Sequence, residues 1–137
     1  MNQKIAFTTI LVAFSVLFIC FTNASPIGLS PRSPGSVAYV DFTKPILGRV
    51  TFTELRGQIV RVTGQFNTGF PDSTSKYEYQ ITGDDKEVID SDIIYPPGTA
   101  PFQFDFKNIT IQFFVGKNLT IFRNSKVLET EPIKLVG

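Results

Sequence analysis

The chain of 137 residues has no histidine, no tryptophan and a single cysteine. Without imidazole, Ser-His and Cys-His nucleophile pairs are excluded. The cysteine, Cys20, lies in an apolar N-terminal stretch and has no second cysteine to pair with, so no intramolecular disulfide is available. Copper and zinc sites draw on imidazole and thiolate ligands. Beyond Cys20 the chain offers neither, so no copper or zinc cofactor is expected. A general base acting near neutral pH would have to be a perturbed carboxylate or lysine. An excess of charge of one sign is missing too: 13 basic residues face 12 acidic ones, and the basic ones are scattered. That removes the electrostatic footprint expected of a nucleic-acid or anionic-membrane binder. Helical periodicity is also absent, because no stretch of about ten or more residues repeats its apolar positions every 3.6.

What is present begins with a leader. Lys4 gives a positive start, Ile5 to Phe21 is apolar apart from Thr8, Thr9 and Ser15, and Ala24 offers a small residue for cleavage. Residues 1–24 therefore read as a secretory signal peptide, and the protein is expected to be extracellular. The rival reading is a membrane anchor, but the apolar run is at the short limit for spanning, and no second such stretch follows. Cys20 and Lys4 leave with the signal, which makes the remainder electrically neutral and free of cysteine. A secreted domain without disulfides must rely on packing. Ten of the 14 phenylalanines remain for that purpose, each contributing on the order of 1.5–3 kcal/mol when buried.

Residues 25–35, SPIGLSPRSPG, carry three prolines and read as an arm or linker. A single domain is expected over 36–137. Val37 to Phe42 is a short first strand. Gly48 to Phe70 is a β-hairpin, with Val50, Phe52, Val60, Val62 and Phe66 alternating with polar residues and Gly57 at the turn. Tyr77 to Ile81 alternates as a strand, and Val88–Ile89 and Ile93–Tyr95 open short ones before Pro96-Pro97-Gly98. Three more strands are predicted over Phe102–Phe106, Ile109–Val115 and Leu119–Ile121. Val127–Glu129 and Ile133–Val136, split at Pro132, finish the chain. Eight to ten short strands without helices predict an all-β, antiparallel Greek-key sandwich or barrel, superoxide-dismutase-like or immunoglobulin-like.

The hairpin resembles the amino-terminal hairpin of the copper/zinc superoxide dismutase family. The family pattern G-x-V-x-F, turn, V-x-V-x-G-x-[IL]-x-x-G-[LF] appears here as Gly48, Val50, Phe52, Val60, Val62, Gly64, Phe66, Gly69 and Phe70, with Phe66 standing at the [IL] position. Val115 to Phe122, VGKNLTIF, is similar to a late strand of that family. The resemblance covers the first half of the domain and this one strand. It implies the family's fold, with Tyr77 and Tyr79 pointing inward. It places Glu78, Gln80 and Phe122 where the family has copper-binding histidines. With no histidine, no disulfide cysteine and no match to the family's late segment carrying its active-site arginine, the resemblance supports the architecture and undermines the activity.

Three other constellations bear on function. Asp84, Asp85, Glu87, Asp90 and Asp92 form a carboxylate-rich stretch. It matches no defined calcium loop, and a solvated turn is the expected reading over calcium binding or a carboxylate-based hydrolase. Phe102, Phe104 and Phe106 form a stripe, as do Tyr77 and Tyr79. Strict alternation with polar residues makes both read as core rather than a sugar platform. Asn108-Ile109-Thr110 and Asn118-Leu119-Thr120 are glycosylation sequons, expected on turns flanking the strand Ile109–Val115. The sequence thus predicts a secreted, metal-free β-sandwich with a non-enzymatic binding role. Its partner would be an extracellular protein or a small ligand. The alternatives are an apolar-ligand (lipid) carrier and a divergent dismutase or hydrolase.

Overall fold

A computed structural model describes residues 35–137. The expected signal peptide and nearly all of the arm lie outside the described residues. In chain order the strands are β1 (Val37–Phe42), β2 (Leu47–Leu55), β3 (Ile59–Thr68), β4 (Tyr77–Ile81), β5 (Glu87–Val88) and β6 (Ile94–Tyr95). They continue as β7 (Gly98–Thr99), β8 (Phe102–Lys107), β9 (Asn118–Arg123), β10 (Lys126–Pro132) and β11 (Lys134–Leu135). Every pairing is antiparallel. One sheet has the order β11-β1-β2-β3-β8 and the other β10-β9-β4-β5, with β6 and β7 forming a separate small ribbon. The fold is an all-β sandwich, as the sequence predicts.

The alternation of apolar and polar residues sets the faces. Ala38, Val40 and Phe42 of β1 are buried, as are Val50 and Phe52 of β2 and Val60, Val62 and Phe66 of β3. Phe52 lies opposite Val62, and Val62 opposite Phe104, so one row crosses the inner face of the first sheet. A one-residue slip would turn this whole row outward, so burial fixes the register. The outer face carries ion pairs instead. Arg61 grips Asp105 through two hydrogen bonds of 2.8 and 2.9 Å, and Arg49 grips Asp41 at 2.5 and 2.8 Å. Such exposed pairs contribute only about 0–1 kcal/mol each.

Two glycines of the hairpin have distinct causes. Gly57 turns the chain between β2 and β3 with φ +80°, joined by Gln58 at +57°. Gly64 faces Phe102 across the strands, and a Cβ there would sit 2.6 Å from the Phe102 ring. Glycine thus lets that ring lie across the β3 backbone.

Aromatic clusters occupy both ends of the interior. Phe66 contacts Phe42 and Phe70, at centroid distances of 5.5 and 5.2 Å, and Phe70 packs on Tyr77 at 4.7 Å. At the other end Phe114 packs on Phe52 and Phe106, at 5.0 and 5.2 Å.

The structure corrects the expected strand at 109–115. The segment is a loop with a 3-10 turn at Ile111–Phe113. Its buried residues are Ile111 and Phe114, three apart, whereas Phe113 is exposed. The reason is topological. β8 belongs to the first sheet and β9 to the second, so the chain must cross the end of the sandwich between them. Asn108, at φ +58°, ends β8, and Phe114 then caps the end cluster. The expected break at Pro132 is present, but β10 runs longer than expected, from Lys126 to Pro132, and the strand after it is only Lys134–Leu135. The chain changes sheets at buried Ile133, whose N–H donates to the Lys117 carbonyl.

Candidate functional site

The two long edges of the sandwich are built differently. At one, β10 carries a bulge between Val127 and Glu129. The extra residue sets Glu129 opposite Ile121, a buried residue of β9, and so turns the carboxylate inward. Glu129 is only 7% exposed. Its Oε1 accepts the N–H groups of Thr43 and Lys44 at 2.9 and 3.1 Å, and its Oε2 accepts that of Ile46 at 2.9 Å. Three backbone donors thus share the charge, with no cation paired to it among the described residues. The effect is to pin the β1–β2 connection to the second sheet.

The opposite edge has no such tie. β8 and β5 are the outermost strands of their sheets, and no ladder joins them. β5 has two residues, and the chain then leaves the sheet at Asp90. That carboxylate accepts the Asp92 N–H at 2.9 Å and caps the 3-10 turn Ser91–Ile93. The second sheet therefore has little to set against the long phenylalanine stripe of β8. Tyr79 reaches across, its ring 6.1 Å from that of Phe104.

An apolar cavity of about 230 Å³ results. Val50, Phe52 and Val62 form its floor on the first sheet, and Tyr79, Ile81 and Ile121 face them from the second. Phe102, Phe104 and Phe106 wall one side and are only partly buried. Exposed Val88 and Asp90, with Ile89 and Ile93, make the rim. Burial raises the Tyr79 phenol above its ordinary pKa, and the charge of Glu87, its cross-strand neighbour, adds to that rise. Tyr79 is therefore a neutral hydroxyl on an otherwise apolar wall.

The stripe expected to be core thus faces inward but lines a void. The sequence shows the alternation; it does not show that the facing strand is too short to fill the space. Of the acidic stretch, only Asp90 reaches the cavity, and Asp84, Asp85, Glu87 and Asp92 are exposed. Among the described residues, no three His, Cys, Asp or Glu stand together as a metal site. Asn108 and Asn118 are both exposed, at the turn after β8 and at the start of β9. They flank a loop rather than a strand.

Glu78 and Phe122 are direct cross-strand partners, and Gln80 pairs with Thr120 one step along the same face. Their donor set does not fit a copper or zinc ion. It offers one carboxylate, one amide and a phenyl ring, where these metals favour clustered imidazole or thiolate. The carboxylate is already bound by Lys76 at 2.7 Å, and the Phe122 ring lies under Lys86 Nζ at 3.9 Å.

Comparison of the chain with protein-family models, curated proteins and solved structures finds no match. Among the described residues, no helix is long and apolar enough to cross a membrane. Fold and cavity define the class: an antiparallel β-sandwich clamped along one edge and hollow toward the other.

Proposed function

We propose that this domain is a secreted, non-catalytic binder of a small apolar ligand, held between its sheets. The observation that carries the reading is the cavity, whose wall is phenylalanine, valine, isoleucine and leucine with one phenol and one rim carboxylate. An apolar cavity of about 150 Å³ stays dry and admits benzene. By that measure this one admits on the order of ten carbon atoms in a chain or small ring system. Transfer of that surface from water supplies the driving force. The leader and the sequons support an extracellular setting. The dismutase-like resemblance extends to architecture alone, because Glu78, Gln80 and Phe122 supply none of the imidazoles that chemistry needs.

Isothermal titration of the purified protein with decanol tests the reading, beside solvent extraction and mass spectrometry of what co-purifies. The control is Val62→Phe. Val62 lies at the centre of the cavity floor, between Phe52 and Phe104. A phenyl ring there displaces two or three ligand methylenes, at about 0.8 kcal/mol each. Affinity should fall on the order of thirtyfold, while the unfolding midpoint holds or rises because a void has been filled. No heat with the wild type at either of two well-separated temperatures, or equal binding by the variant, overturns the reading.

A further inference from the structure

The cleft also has an electrical polarity, set by which charged residues reach it and which do not. Its lining contains one acidic side chain, Asp90, and neither lysine nor arginine. Asp90 accepts the Asp92 N–H but joins no ion pair among the described residues. Glu87, paired across the strands with the cavity residue Tyr79, adds a second negative charge close to the rim.

The nearby cations are turned elsewhere. Lys86 Nζ lies 3.9 Å above the Phe122 ring, and Phe122 sits opposite Glu78, on the face of the second sheet away from the cleft. Lys107 follows Phe106 on β8 and so points to the opposite face from the phenylalanine stripe. Arg61 is held on that outer face by Asp105. Any molecule that enters with its apolar end first leaves its polar end beside Asp90, with Glu87 near and no cation to receive an anion.

We infer that the ligand is a single-chain or small-ring amphiphile whose polar end is neutral or cationic, and that Asp90 selects against carboxylates at the mouth. This rests on the apolar-ligand reading above. At a solvent-facing rim two unit charges a few ångströms apart interact weakly. The interaction nonetheless changes sign between an amine and an acid, so the two should differ on the order of tenfold in affinity.

The test is calorimetric titration of the purified protein with decanol, decylamine and decanoate at pH 7 in low salt, repeated with Asp90→Asn. Asparagine keeps the oxygen that accepts the Asp92 N–H, so the turn is preserved. Decanol should bind both proteins alike. Decylamine should bind the wild type about tenfold more tightly than decanoate, and Asp90→Asn should shrink that ratio several-fold. Added salt should shrink it in the same direction. If decanol binds but decanoate matches or exceeds decylamine, the charge selection is wrong and the apolar cleft stands. An amine preference that Asp90→Asn leaves undiminished overturns the assignment to that residue. Failure of all three ligands to bind overturns both readings.

Discussion

Replacing Glu129 should show how much of the fold depends on one buried carboxylate. The wild-type side chain accepts three backbone N–H groups, at 2.9, 3.1 and 2.9 Å. In Glu129→Gln the amide oxygen keeps the two donors shared by Oε1, and its NH₂ then faces the Ile46 N–H. One charge-assisted bond is lost, and one buried donor has no acceptor. A hydrogen bond to a charged group is worth about 1.5–3 kcal/mol, and an unsatisfied buried donor costs about 1–3 kcal/mol. These overlap, so about 3 kcal/mol is expected for Gln. Ala deletes all three bonds and leaves a void, for which about 5 kcal/mol is expected. Urea unfolding followed by circular dichroism measures both, and the m-value should not change. For a domain of this size the melting temperature should fall by roughly 15 °C for Gln, at about 5 °C per kcal/mol. The order of the two variants is part of the prediction. A cost below about 1 kcal/mol for Glu129→Gln would show that the loop 43–46 finds other partners and that the clamp does not hold this edge.

Three further outcomes are expected. Asp72 is held at a pKa of about 2, below the ordinary aspartate range, first by the Ser75 N–H and hydroxyl and then by Arg123. Because the folded pKa is the lower one, its contribution is present above the unfolded value and disappears as pH falls from about 4 through about 2. Melting temperatures across that window should fall less steeply for Asp72→Asn than for the wild type. Tyr77 is 1% exposed, and its hydroxyl has no hydrogen-bond partner among the described residues. Tyr77→Phe should therefore leave equilibrium stability unchanged or raise it by about 1 kcal/mol, measured by urea unfolding. Expressed through a eukaryotic secretory pathway, the protein should lose mass on enzymatic deglycosylation. The Asn108→Gln, Asn118→Gln double variant should show no loss.

The sheet was legible wherever a strand has one wet face and one dry one. Val37–Phe42, the hairpin around Gly57 and Tyr77–Ile81 all declare themselves by period-two alternation, and all three lie where that pattern puts them. The segment 109–115 alternates almost as well and is not a strand. Ile109, Ile111 and Phe113 match the period, but a strand also needs a neighbour to pair with. The chain is changing sheets there, and Phe114, one place out of phase, is buried with Ile111 while in-phase Phe113 is exposed. Alternation reports a preference for a two-faced environment and carries no information about the partner strand.

The same limit explains why the cleft was not legible. The stripe Phe102, Phe104, Phe106 reads as core, and its rings do face inward. Whether an inward ring meets another side chain or a void depends on the opposite sheet. Here that sheet ends in a two-residue strand whose chain leaves at Asp90. Nothing local to residues 102–106 records this. Glu129 poses the converse case. In sequence it is one acidic residue among polar neighbours on a C-terminal strand. A bulge of one residue turns it inward to meet three amides more than eighty positions away. The clamp and the cleft are two results of one arrangement: the sheets are tied along the β1–β10 side and left unpaired between β8 and β5. The tie fixes the sheets where they meet. A ligand or a larger side chain can then fill the other side without the sandwich having to close on it. That is why Val62→Phe should be tolerated where the same added volume beside Glu129 would not be.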